Sequence, residues 1–282
     1  MPDLFELFFR WWRQIVLLVI VTVVLTIVVL FFVPEKYLGV ATALPAPAYA
    51  ADKTSVFSQN LQNLYSTLGS PDDLDKILGT ARLDTVYMSV ASRLNLAEHY
   101  QIKRDTDSLQ KAAYILKDKT RVIKTDYGEL QVKVWDTDKS LAANLANAIM
   151  EKLQQIHQDV QTLNNALLFS EINKEYAEKN AEYQNLHDSL SRMDIASAAA
   201  QIFTSRQAAL LQQMQEYQEL AGQYKLMMDA KPQALIIIER AKPALKADEP
   251  RKLQVIVVAA ILSLVFGFFA ALVLEKKRKM TS

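Results

Sequence analysis

Two uncharged apolar runs, one near each end of the chain, constrain its fold more than any other feature. Ile15 to Val33 and Leu253 to Leu274 contain no Asp, Glu, Lys or Arg. At ~1.5 Å per residue in a helix, each run covers the ~30 Å hydrocarbon core of a bilayer. β-branched residues dominate the first run, yet in lipid only a helix satisfies its own backbone polar groups. Trp11 and Trp12 precede that run and Tyr37 follows it, where aromatic rings favour the membrane interface. Arg10 and Arg13 can reach the headgroups on their long stems. A cleaved signal peptide is the alternative, and Ala48-Tyr49-Ala50 resembles a cleavage site. The run is longer than a usual signal core, however, and Glu35 and Lys36 separate it from that site. An uncleaved anchor is expected.

The flanks set an orientation. Lys276, Lys277, Arg278 and Lys279 follow the second run, and Arg10 and Arg13 precede the first. By the positive-inside rule both ends, 1–14 and the basic tail 275–282, are expected in the cytoplasm. The spans are then 15–33 and 253–274, and everything between them lies outside the cytoplasm. The expected cytoplasmic parts are too short for a kinase or a signalling domain. Ala259, Ser263, Gly267 and Ala271 form a stripe of small residues at i, i+4 spacing on the second span, which lets another helix approach closely. The first span offers Thr22 and Thr26 at the same spacing.

Composition closes several routes to catalysis. The chain has no Cys, so disulfides, thiolate metal sites and cysteine nucleophiles are excluded. Its 6 Gly form neither of the familiar phosphate-cradling loops. His99, His157 and His187 are far apart and show no metal-binding spacing. A net charge of +1 gives no electrostatic footprint for nucleic acid. Asp72, Asp73 and Asp75 could be offered as metal ligands, but their place at a helix start favours complementing the helix dipole. Asp136 and Asp138 straddle another helix start and receive the same reading. His99 and His157 read as surface or oligomer-contact residues, and His187 lies near a proposed hairpin tip. No catalytic residue, metal or cofactor is expected.

The middle of the chain reads as α+β. Tyr37 to Leu44 forms a strand, broken by Pro45 and Pro47. Ser70-Pro71-Asp72-Asp73 starts a short helix that Gly79 closes. Asp84 caps a second helix with Val86, Val90 and Leu94 on one side, and 105–119 is a third. Arg121 to Asp126 and Glu129 to Trp135 alternate apolar and polar residues around Tyr127-Gly128, the pattern of a β-hairpin. Asp136-Thr137-Asp138 caps a long helix beginning near Lys139. Ala234 to Ala241 is a β-branched strand set off by Pro232. The base thus comprises 34–137 and 231–252.

Residues 138–230 hold a long helical hairpin. Ile149, Leu153, Ile156, Val160, Leu163 and Leu167 are spaced as a coiled-coil seam, and Leu210, Met214, Tyr217, Ala221, Tyr224 and Met228 repeat that spacing. A single helix over 139–229 would end ~135 Å from its start. The few residues left before Leu253 span at most ~70 Å, so the helix must double back. With arms of similar length the turn falls near Ser191 to Ser197, where Asp194 and Ser197 can cap the returning arm, and the arms are ~60–70 Å long. Narrow seams bury little, so side-by-side hairpins in a homo-oligomer are expected.

This order of parts resembles the Wzz-type polysaccharide co-polymerases, the chain-length determinants of bacterial surface polysaccharides. Three passages carry the likeness. The first is the anchor followed by a strand, Pro34 to Leu44. The second is Val132-Lys-Val-Trp-Asp-Thr-Asp-Lys-Ser-Leu-Ala-Ala-Asn-Leu-Ala-Asn147. The third is Ala241-Lys-Pro-Ala-Leu-Lys-Ala-Asp-Glu-Pro-Arg251, which leads into a span with a central Gly267. Its prolines are Pro243 and Pro250, one fewer than is usual in the family. The resemblance implies a protein of the inner membrane of a diderm bacterium, with a periplasmic α/β base and a protruding hairpin. It also implies a ring of identical protomers, without the cytoplasmic kinase of some relatives. The implied role is non-catalytic control of how many repeat units a polymerase adds to a lipid-linked glycan. The proline segment would then contact the polymerase. A membrane-anchored periplasmic adaptor or scaffold of an export assembly is the alternative, though it normally has one anchor and more β structure.

Overall fold

A computed structural model describes residues 4–46, 71–103, 105–192 and 198–281. In chain order the elements are α1 (Leu4–Phe32), β1 (Tyr37–Pro45), α2 (Pro71–Thr80), α3 (Asp84–Arg93), α4 (Leu96–His99) and α5 (Ser108–Asp118). Then follow β2 (Thr120–Lys124), β3 (Leu130–Asp136), α6 (Lys139–Leu190), α7 (Ala198–Ala230), β4 (Leu235–Glu239) and α8 (Lys252–Thr281). The chain divides into two compact units. The first comprises Met1–Val40, Lys133–Ala146 and Ala241–Ser282, and the second Ala41–Val132 and Asn147–Arg240.

The first unit pairs α1 with α8. Ile15 and Ala271 are buried against this contact, with Trp11, Phe268 and Leu272 around them. Glu35, just past α1, bonds Lys252 at the start of α8, while Ile15 in the first half of α1 meets Gly267, further along α8. The two helices therefore run antiparallel. Trp11–Phe32 and Lys252–Leu274 are long and apolar enough to cross a membrane. Little of either is buried within the chain, and Leu17, Val21, Phe31, Leu262 and Phe266 all stand exposed. A soluble core helix hides such side chains; these face outward, as lipid-facing residues do.

The strands lie in the order β2-β3-β1-β4. β1 pairs antiparallel with β4, Ala43 opposite Ile237 and Pro45 opposite Leu235, with a bulge between Thr42 and Ala43. Pro45 stays within the strand because the ladder skips its missing N–H: the next donor, Ala46 N–H, bonds Ala234 O at 3.0 Å. β2 and β3 are joined by a tight turn, which connects only antiparallel neighbours. Gly128 takes φ 74° there, and its N–H bonds Thr125 O at 3.0 Å. β3 alternates as expected, with Leu130, Val132, Val134 and Asp136 buried. In the second unit Val86 and Val90 on α3, Ala112, Ala113 and Leu116 on α5, and Leu74 and Ile77 on α2 are buried as well.

Several local expectations are corrected. Gly79 does not close α2; it lies inside the last turn, and the helix continues to Thr80. Asp84 is the first residue of α3 and not its cap: Leu83 occupies the cap position without a side-chain bond. The Asp84 carboxylate instead bonds Lys117 Nζ at 2.6 Å. The third helix begins at Ser108, and the short α4 before it had no periodic signal. The hairpin arms are unequal, with 52 residues in α6 and 33 in α7. In the first turns of α6, Ala142, Leu145, Ala146, Ile149 and Leu153 are buried. Asp138 caps α6 as expected, its Oδ1 accepting the N–H groups of Ser140 at 2.7 Å and Leu141 at 3.2 Å. Pro47, the Ala48-Tyr49-Ala50 site, Ser70, Asp194 and Ser197 lie outside the described residues, as do the side chains of Asp72, Asp73 and Lys276 to Lys279.

Candidate functional site

Where α1 leaves and α8 enters, charged residues tie the two helix ends together. Lys36 N–H donates to Glu249 O at 2.9 Å, and Asp248 N–H donates to Lys36 O at 2.9 Å. Lys36 Nζ lies 3.2 Å from Glu249 Oε2, and Lys252 Nζ 2.7 Å from Glu35 Oε1. The hydrogen bond from Lys252, and then its charge, hold the Glu35 carboxyl below its usual range. Trp135 Nε1–H donates to Asp248 Oδ2 at 2.8 Å, which fastens the end of β3 to the same cluster. Exposed pairs contribute little energy singly; together with the backbone bridge they set the register of the two helices. Pro243 is exposed and Pro250 half-buried in the adjoining stretch, with a cis peptide between Glu249 and Pro250. Sequence reasoning missed this cluster, because its partners are far apart along the chain.

The small-residue stripe of α8 faces α1 of the same chain. Ser263, Gly267 and Ala271 are buried and Ala259 is half-buried. A methyl group on Gly267 would sit 3.3 Å from Ile15 Cγ2, tighter than ordinary contact. Thr22 and Thr26 do not link the helices through their hydroxyls. Each donates back to its own helix, to Leu18 O and Thr22 O, both at 2.8 Å.

Along the hairpin, the two expected seams fare differently. On α7, Leu210, Met214 and Tyr224 are buried and Tyr217 is half-buried, while Met227 is buried in preference to Met228. On α6, Ile149 and Leu153 are buried and Ile156 is half-buried. Beyond them Val160 is 50% exposed, Leu163 60% and Leu167 62%. The arms meet instead through Ile172, packed with Tyr224, Met227, Phe169 and Tyr217. Further along, Arg206 Nη2 bonds Glu182 Oε1 at 2.7 Å, and Gln218 Nε2 donates to the Tyr176 hydroxyl at 3.0 Å. His187 belongs to this contact: its Nδ1 lies 3.1 Å from Gln207 Nε2, and its ring stacks on Tyr183.

A groove of about 490 Å³ runs between α6 and β4, lined by Glu151, Gln154, Gln155, Gln158, Gln233, Ile236, Ile237 and Arg240. Glu151 holds Arg240 at 3.0 Å and Arg93 at 3.5 Å. Its walls offer amide donors and acceptors and a paired carboxylate, suited to binding and without a nucleophile. Tyr87, pushed up to about 12 by burial and then by the charge of Asp84, donates its hydroxyl to Ala81 O at 2.8 Å; it braces the core. Asp75 lies 3.4 Å from Lys124 Nζ. Among the described residues no group of three or more His, Cys, Asp or Glu is placed to hold a metal ion.

No family model matches the sequence, and no curated relative does. Among solved structures the chain is similar to a full-length bacterial polysaccharide co-polymerase, at 16% identity over 99% of this chain and 98% of that one, with a TM-score of 0.47. It is also similar to a fragment of WzzB, a polysaccharide co-polymerase from Salmonella Typhimurium, at 15% identity over 77% of this chain and 100% of that one, with a TM-score of 0.38.

Proposed function

We propose that this chain is a non-catalytic regulator of the chain length of a surface polysaccharide: O-antigen, capsule or exopolysaccharide. It acts in the inner membrane of a diderm bacterium as a homo-oligomeric ring, with both termini in the cytoplasm and the bulk in the periplasm. The observation that carries the reading is the order of parts. Two apolar helices pair antiparallel at a charged boundary, and between them in sequence lie a four-stranded sheet and a long helical hairpin. The uncovered apolar residues of α6 suit hairpins packed side by side. The ring holds an integral-membrane polymerase and its lipid-linked glycan close together, so that length reflects dwell time. Pro243 and Pro250, beside the spans, form the polymerase contact.

The test is a glycan gel. Deleting the gene should replace a clustered ladder of chain lengths by an unregulated one, and the intact gene should restore it. Replacing Pro243 and Pro250 by Ala should shift the modal length while the oligomer keeps its mass. A ladder unchanged by deletion rejects the reading.

A further inference from the structure

Between β4 and α8 the chain crosses an irregular stretch from Lys242 to Ala247, in the same compact unit as both apolar helices. Leu245, near its centre, is 100% exposed. Lys242, Pro243 and Lys246 around it are exposed as well. Among the described residues neither lysine forms an ion pair. Four residues further on, Glu249 is fixed to Lys36 through backbone and side chain, just past Phe32 at the end of α1 and just before Lys252 at the start of α8. An extended chain places Leu245 at most ~14 Å from that point. The headgroup zone beyond the hydrocarbon core is itself about 5–8 Å deep.

We propose that residues 242–247 lie on the bilayer surface, with Leu245 inserted at the headgroup–acyl boundary and Lys242 and Lys246 on lipid phosphates. The inference rests on reading α1 and α8 as membrane spans. Three observations select lipid over a protein surface. The stretch is tethered at the membrane whether or not a partner is present. One bare aliphatic side chain between two cations matches an anionic interface, where apolar burial and charge attraction act together. Ala244 and Ala247 are half-buried, so within the stretch Leu245 and Pro243 alone present apolar side chains openly, less than the broad patch that protein docking uses. Seated in this way, the stretch sets the depth of Pro243 and Pro250 relative to the lipid.

The absence of Cys from the chain makes the test direct. Leu245→Cys and Leu262→Cys variants of the full chain each carry one environment-sensitive fluorophore. They are placed in nanodiscs of phosphatidylethanolamine and phosphatidylglycerol. Quenchers are nitroxide on the headgroup or bromine on the acyl chain. The Leu245 probe should be blue-shifted and lose most of its emission to the headgroup nitroxide. The Leu262 probe, mid-span, should respond to bromine. Lys242→Glu with Lys246→Glu should relieve quenching at 245 and leave 262 unchanged. A Leu245 probe that stays unquenched while Leu262 is quenched overturns the proposal. So does a Leu245 probe shielded from aqueous quencher but untouched by lipid quenchers, since protein then covers it. If neither probe responds, the span reading fails and the proposal with it.

Discussion

Gly39 shows what a single missing methyl group permits. A Cβ there would meet the Ala142 carbonyl oxygen and lie 2.6 Å from Ala142 C and 2.8 Å from Ala143 N, all backbone atoms of α6 that cannot turn aside. Gly39→Ala must therefore push β1 off the helix, at a cost of about 2 kcal/mol. Gly79 is the contrast: inside a helix, with nothing within 4 Å of its would-be Cβ. Gly79→Ala should stabilise the protein by about 0.5–1 kcal/mol, because the unfolded chain loses freedom and the helix loses nothing. Thermal melts of the two variants in detergent should move in opposite directions. The sequence could not rank these glycines. Gly79 followed a helical pattern and looked like a terminator, whereas the neighbour that makes Gly39 necessary is Ala142, far along the chain. Asp138 was legible for the opposite reason, since its partners Ser140 and Leu141 are local.

Elements were legible wherever their period was long or strictly two-fold. The alternation of β3 and the start of α6 at Lys139 agree with pattern alone. The contacts between the hairpin arms were less legible, because a heptad pattern says that a helix has an apolar side but not which partner covers it. The arms join through Ile172, which lies between the two heptad runs and belongs to neither, and through the exposed pair of Glu182 with Arg206. The Glu182 carboxyl is held below its ordinary value of 4.5 by the hydrogen bond from Arg206, against burial and with help from Lys179. A depressed carboxyl stabilises the folded form above the unfolded value, and that contribution disappears as pH falls through the folded one. Spin labels at Gln184 and Ser205 should therefore report a distance distribution that broadens below pH 4.5. Glu182→Gln should remove that pH dependence, and high salt should weaken the pairing at neutral pH because both groups face solvent. A distribution insensitive to acid in the wild-type chain would show that the apolar contact at Ile172 holds the arms without the ion pair.

For the whole molecule, one face of α6 remains to be satisfied. The stripe of small residues on α8 finds its partner inside the chain, at Ile15, so the paired spans do not require a second copy. Val160, Leu163 and Leu167 stay half or more exposed on their own hairpin. Burying three such side chains against neighbouring copies would contribute on the order of several kcal/mol per contact, before the entropy of association is subtracted. A charge on that stripe separates assembly from folding. Leu163→Glu leaves a residue that the single chain already exposes, so helix content and the contact around Ile172 should be unchanged. Within an oligomer of side-by-side hairpins the same carboxylate is desolvated without a partner, which exceeds what one contact supplies. Light scattering of the protein in detergent should then give a mass falling from a multiple of 31.9 kDa toward 31.9 kDa itself. Ile172→Ala is the complementary variant: it removes contacts between the arms of one chain, costs about 2 kcal/mol and lowers the melting temperature, while Leu163 stays in place for the neighbour. A Leu163→Glu protein that keeps its oligomeric mass would move assembly to another surface and leave α6 a bare spacer.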